Sequence, residues 1–198
     1  TDSTQIDYFY DANKRLVREL TNGVAAGQDL NNDLTISRNS SGIITKTVQK
    51  AAALLAAGID SVVTVYNYST ASSKYTSSIF QIGIAGFAVL DSAVYTYDAS
   101  GKIMKDEHYL QITGLPFPLP PTLTARNTYT YSADGKNLLT VASDAAIPPA
   151  TTLSPATAQT YTVDAKTNPL IILNEAVLLS RVGLFNTNNV TKAVVTNT

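Results

Sequence analysis

The stretch Val94-Tyr95-Thr96-Tyr97-Asp98-Ala99-Ser100-Gly101-Lys102-Ile103 constrains the fold more than any other feature, because variants of it recur along most of the chain. Tyr95 and Tyr97 lie two apart, so in a strand both rings leave one face while Val94, Thr96 and Asp98 take the other. Aromatic and β-branched residues at this density favour a pleated, half-buried surface. Asp98 suits the first position of a type I turn, where its carboxylate accepts from backbone N–H groups, and Gly101 takes positive φ without steric cost. The stretch therefore predicts a β-hairpin looped at Asp98–Gly101.

Five further stretches read the same way. Hairpin one is Ile6–Leu20, with Asn13 where the reference has glycine. Hairpin two is Leu34–Thr45, hairpin three Val62–Phe80, hairpin four the reference itself, Val94–His108, hairpin five Thr128–Val141 and hairpin six Tyr161–Ile172. Aligned on the second aromatic slot, Tyr10, Ile36, Tyr68, Tyr97, Tyr131 and Val163 fall in register at separations of 26, 32, 29, 34 and 32 residues. A period in this range marks a repeat array in which each element buries its apolar face against its neighbours. The connectors are a polar loop, Thr21–Asn32, and two proline-rich passages, Gly114–Pro121 and Ile147–Pro155, whose prolines exclude helix and central strand. Glu175–Leu184 and Val190–Val195, around the polar turn Asn186–Asn189, are expected to close the last edge.

One segment departs from the β pattern. Val48–Ala57 is rich in strong helix formers, Thr47 stands as a candidate N-cap and Gly58 as the residue that ends the helix, with Val48 and Leu55 expected against the sheet. The longest nearly apolar run, Ile79–Leu90, is far short of the ~20 residues of a membrane-spanning helix and reads as a buried strand pair or a strand and bend.

Tyr8-Phe9-Tyr10-Asp11, Tyr95–Ile103 and Tyr129–Lys136 resemble the tyrosine-aspartate (YD, or Rhs-type) repeats of bacterial cell-surface proteins, and in particular short surface lipoproteins carrying a few such hairpins. The resemblance implies an antiparallel sheet that curls, export to the cell surface and no assigned enzymatic activity. The chain departs from that pattern in having no lipobox cysteine, no Tyr-x-Tyr pair in hairpin two and longer proline-rich connectors.

Composition narrows the chemistry. With no cysteine there is no disulfide framework or thiolate site, and the single histidine, His108, leaves little for histidine-based metal or triad chemistry. A net charge of −1 gives no electrostatic case for nucleic acid or an anionic membrane. Only 15% of residues are charged, so Thr, Ser, Asn and Gln must cover much of the surface, which fits an exported protein.

Candidate sites are few. Asp29-Leu30-Asn31-Asn32-Asp33 places oxygen ligands at calcium-loop spacing, but Leu34 replaces the required glycine and Ser40 the closing glutamate, so an Asx-rich turn is expected instead. Asp106-Glu107-His108 sets an acid and an imidazole on one strand face and is read as a solvated strand edge. Gly83-Ile84-Ala85-Gly86 lacks the lysine of a phosphate loop. Tyr8, Tyr10, Tyr66, Tyr68, Tyr95, Tyr97, Tyr129, Tyr131 and Tyr161 are expected as a cross-strand stripe holding the sheet together, the competing reading being an exposed stacking platform.

The sequence thus predicts a mainly β fold, a curved antiparallel sheet of sequential β-hairpin repeats with one short Ala-rich helix, as a single domain over 1–198. The functional expectation is a non-enzymatic, extracytoplasmic module contacting an unknown protein or glycan at the cell surface, with a purely architectural spacer as the alternative. No catalytic residue, metal ligand set or cofactor is assigned, and ligand-binding residues stay unassigned.

Overall fold

A computed structural model describes residues 3–84, 87–117, 119–146, 152–167 and 186–197. The described strands are β1 (Ser3–Tyr10), β2 (Leu16–Ala25), β3 (Gln28–Asp29), β4 (Asn32–Arg38), β5 (Ile44–Ala51), β6 (Val62–Ser69), β7 (Lys74–Ile84), β8 (Phe87–Tyr97), β9 (Ile103–Thr113), β10 (Thr122–Tyr131), β11 (Leu138–Ala145), β12 (Ser154–Thr167) and β13 (Asn188–Asn197), with one helix, α1 (Ala52–Ala56). Hydrogen-bonded neighbours follow the order β1-β2-β4-β5-β6-β7-β8-β9-β10-β11-β12-β13, with β3 on β2. The chain forms two compact units, 1–93 with 109–121, and 94–108 with 122–198. The mainly β, antiparallel hairpin architecture is what forms, and no described helix is long and apolar enough to cross a membrane.

Three hairpins share one turn. In the reference hairpin Asp98 N–H donates to Lys102 O, Gly101 N–H to Asp98 O, and Lys102 N–H to the Asp98 carboxylate at 2.9 Å. Asp11, Lys14 and Arg15 repeat these bonds in hairpin one, and Asn39, Gly42 and Ile43 repeat them in hairpin two. The positive-φ residue is therefore Lys14, at φ 59°, and not Asn13, which instead donates its N–H to Asp11. In hairpin five Ser132 takes the leading place and the loop gains one residue.

The returning strands β2, β5, β7 and β11 each carry a bulge at their second residue. Tyr10 pairs with Leu16 but Phe9 with Arg18, Arg38 with Ile44 but Ser37 with Lys46, Tyr68 with Tyr75 but Asn67 with Ser77, and Tyr131 with Leu138 but Thr130 with Thr140. The two-against-one count turns the strand locally and leaves the first return residue facing inward. Leu16, Ile44, Tyr75, Ile103 and Leu138 hold that place and all are buried. Three residues further on lie Glu19, Thr47, Ser78, Asp106 and Val141, buried as well. Within each compact unit the buried residues thus come largely from the returning strands, with Ile36, Tyr66 and Tyr161 contributed by the outgoing ones.

The contact between successive hairpins also repeats. Arg18 pairs with Thr35, Lys46 with Val65 and Thr140 with Thr160, in each case the second residue after the start of a return strand against the fourth before the next turn. On this register the slot beside the turn in hairpin two belongs to Arg38, not Ile36.

Several expectations are corrected. Residues 47–51 are strand, because β5 is hydrogen-bonded on both sides by β4 and β6, and this pairing outweighs the helix propensity of the alanines. Only Ala52–Ala56 is helical, with Ala51 at its N-cap and no side-chain cap, while Gly58 at φ 75° ends it as expected. Leu55 is 66% exposed rather than packed on the sheet. The polar loop 21–32 is mostly strand: β2 turns into β3 through Ala26 and Gly27, both at positive φ, the geometry of a tight two-residue hairpin. The apolar run at 79–90 is strand on both sides of residues 85–86, which lie outside the described residues, but residues 79–83 and 87–90 are not buried, and Phe87 is exposed.

At the C-terminal end, Ser154 and Pro155 belong to β12, Pro155 sitting at a register break where a missing N–H is tolerated. The expected return of hairpin six, Leu170–Ile172, lies outside the described residues, as do Ile147–Thr151 and Glu175–Leu184. β12 is instead paired by β13, with Val163 against Val190 and Thr162 against Lys192, the same bulge as in the other hairpins. Asn186 is not in a surface turn: it is fully buried and accepts from Leu138 N–H, while Asn137 and Asn188 exchange two bonds.

Candidate functional site

The densest group of titratable side chains in the second compact unit forms where β9 meets β10. Strand alternation brings Asp106 and His108 to one face, as expected, with His108 Nε2 3.2 Å from Asp106 Oδ1. The solvated-edge reading fails at Asp106, which is only 4% exposed. Burial is possible because Asn127 Nδ2 donates to Oδ1 at 2.8 Å and the Tyr129 hydroxyl donates to Oδ2 at 2.6 Å. The Ser143 hydroxyl in turn donates to Asn127 Oδ1 at 2.6 Å and fixes the amide's orientation.

Electrostatics act in one direction here. Burial pushes the Tyr129 phenol far above its ordinary value, and the Asp106 charge adds to it, so the hydroxyl stays a donor. On the opposite face Arg126 donates to Glu107 through both Nε and Nη2 and holds that carboxyl below its usual range, with Lys105 Nζ at 3.2 Å. Both oxygens of Asp106 are engaged, and the bonds from Asn127, Tyr129 and Arg126 all join β10 to β9. Chemically the cluster is a hydrogen-bonded clasp between hairpins four and five.

The same contact recurs with other chemistry. Thr47 Oγ1 and Tyr66 OH lie 3.3 Å apart, in the places of Asp106 and Tyr129. Tyr131 OH donates to Ile103 O at 2.9 Å, and burial pushes its phenol up to about 12. Arg38, in the equivalent slot of hairpin two, donates to the equivalent carbonyl, Leu16 O, at 3.1 Å. Tyr66, Tyr129 and Tyr131 at these two slots thus serve as latches onto the preceding return strand. Aligning the return strands on Leu16, Ile44, Tyr75, Ile103 and Leu138 exposes this rule in the sequence; aligning on the aromatic slot conceals it.

Tyrosine exposure is accordingly divided. Tyr66 and Tyr161 are buried, Tyr68, Tyr95, Tyr97, Tyr129 and Tyr131 are half-buried, and Tyr66 and Tyr68 meet Tyr75 edge to face at 6.2 and 5.1 Å. Tyr8 and Tyr10 on β1 are 45% and 60% exposed, beside exposed Ile6 and Phe9.

The remaining candidates do not converge. Asp29 accepts from Asn31 N–H, Asn31 accepts from Gly23 N–H, Asn32 accepts from Gln49, and Asp33 is held by Arg18 through two 2.8 Å bonds. These oxygens look to four different partners, the Asx-rich arrangement expected. Among the described residues no group of three or more acidic, histidine or cysteine side chains is placed to hold a metal. Gly83 and Ile84 end β7, whereas 85–86 lie outside the described residues.

No protein-family model matches the chain, and no curated protein matches it. A solved structure, that of a protein of unknown function from Bacteroides fragilis, aligns with 78% of this chain and 88% of its own at 9% identity and a TM-score of 0.28.

Proposed function

We propose that the protein is a non-enzymatic β-repeat module of the cell envelope or secreted fraction, related to tyrosine-aspartate repeat proteins, that acts through contacts of its strand surfaces with a protein or glycan. The observation that carries this reading is the division among the tyrosines. Tyr66, Tyr129 and Tyr131 are spent on latches and Tyr161 is buried, whereas Tyr8 and Tyr10 lie exposed on a strand that also exposes Ile6 and Phe9. An exposed aromatic patch rimmed by polar residues is the usual mark of an interaction surface. Export is supported by the absence of cysteine, the low charge and the repeat resemblance.

The test is titration of the isotopically labelled protein with peptidoglycan fragments and purified envelope proteins. Ring resonances of Tyr8 and Tyr10 are expected to shift, and Tyr8→Ser with Tyr10→Ser to abolish binding. Binding that survives both substitutions, or no binding to any such probe, defeats the reading. A purely architectural role is favoured by a different observation, the identical register at the three contacts β2–β4, β5–β6 and β11–β12.

A further inference from the structure

Among the described residues β1 and β13 each have a single hydrogen-bonded neighbour strand, and these two strands end the order. They are the two halves of a contact the chain makes repeatedly within itself. β1 is an outgoing strand carrying the latch residues Tyr8 and Tyr10 in the places of Tyr129 and Tyr131. β13 is a return strand: its bulge between Val190 and Lys192 puts Val190 in the place of Leu138. Inside the chain β4, β6 and β12 dock on the return strands β2, β5 and β11 in one fixed alignment.

We infer that β13 of one copy pairs with β1 of a second copy, continuing the sheet head to tail. The internal register, applied to this junction, sets Lys192 opposite Asp7, Val190 opposite Phe9 and Ala193 opposite Ile6. The first is an ion pair and the other two are apolar, which is the kind of cross-strand matching that stabilises a junction. Asp7 is the one acidic residue among those that hold this place, four before the turn, where Thr35, Val65 and Thr160 stand in the other contacts. Tyr10 then reaches the Val190 carbonyl as Tyr131 reaches Ile103. The contact is heterologous, so it grows into a ring or a filament rather than stopping at a symmetric pair. The inference rests on β1 being a contact surface and specifies its partner.

Sedimentation velocity from micromolar to millimolar concentration tests it. The wild type is expected to associate with rising concentration. Asp7→Lys alone and Lys192→Asp alone each set like charges opposite, weakening self-association about tenfold. An equimolar mixture of the two restores it, because every mixed junction then pairs opposite charges. A wild type that stays monomeric throughout overturns the proposal, as do single variants that associate like the wild type or a mixture that stays monomeric. If the monomer still binds a glycan or envelope protein through Tyr8 and Tyr10, the contact-module reading stands and only the homotypic partner falls.

Discussion

Tyr161 occupies the latch slot that Tyr129 fills in hairpin five and Tyr66 in hairpin three, yet its hydroxyl is buried with no partner among the described residues. The reason is on the facing return strand, where Val141 stands in the place of Asp106 and Thr47. A buried hydroxyl without a partner costs about 1–3 kcal/mol of desolvation. Tyr161→Phe removes that cost and leaves only a void the size of one oxygen, so it should raise stability by about 1 kcal/mol. Tyr129→Phe should act oppositely: it deletes a 2.6 Å bond to a carboxylate and leaves buried Asp106 short of a donor, a loss of about 3 kcal/mol. Tyr66→Phe, which gives up a longer neutral contact, falls between at a loss of about 1 kcal/mol.

Val141→Thr supplies the missing partner. It should be unfavourable in the Tyr161→Phe background, where the new hydroxyl is buried alone, and close to neutral beside Tyr161, giving a coupling of about 1 kcal/mol in a double-mutant cycle. Urea unfolding at constant slope measures all four corners. A loss of more than about 1 kcal/mol for Tyr161→Phe, or a coupling of zero, would refute the slot assignment, since either result means that the hydroxyl is already satisfied or that residue 141 does not face it.

Arg38→Ala should lose about 2 kcal/mol through its bonds to Leu16 O and Gly42 O, whereas Arg38→Tyr should retain most of the stability by latching as Tyr131 does; thermal unfolding separates the two. Ala26→Gly should stabilise by about 1 kcal/mol, because the residue sits at φ 50° without a side chain suited to it, and a higher urea midpoint is the readout. The protein should lose stability in acid: Glu107, Asp33, Asp11 and Asp98 are held below the ordinary carboxylate range, so their contribution is complete above about pH 4 and disappears as pH falls through the lower folded-state values. In alkali the sign reverses, since burial holds Tyr97, Tyr131 and Tyr161 near 12; unfolded tyrosines ionise first above about pH 10, and unfolding midpoints across that range should decline.

The turn was legible in the sequence because its requirements are local: a short side-chain acceptor at the first place and a residue tolerating positive φ at the fourth. Lys14 at that place shows the limit, for a local rule favours Asn13 and only the bond from Arg15 N–H to Asp11 fixes the spacing. The alanine segment misled for the same reason in reverse, because helix propensity is a property of residues 47–57 while the ladder that overrides it is supplied by β4 and β6. Asp106 was hidden differently. Nothing in Asp-Glu-His marks a buried carboxylate, and its burial depends on Asn127, Tyr129 and Ser143, which come from later in the chain.

Hairpin six separates what makes the repeat from what merely joins it. Its two described strands are separated in sequence by residues 168–187, and the leading Asp164 accepts from Lys166 N–H and from Asn189 Nδ2. Yet the pairing of Val163 with Val190 and the bulge after it match hairpins closed by the three-bond turn, and Thr191 Oγ1 reaches Thr162 O as Thr45 reaches Ser37 O and Thr76 reaches Asn67 O. The register therefore does not depend on the Tyr-x-Tyr-Asp-x-x-Gly phrase that makes the repeat visible. It follows from the return strand, whose first residue and the bulge after it recur in β13 as in β2, β5, β7 and β11. A register carried by the return strand itself is equally able to specify a neighbour from another chain, and among the described residues β13 pairs with β12 alone.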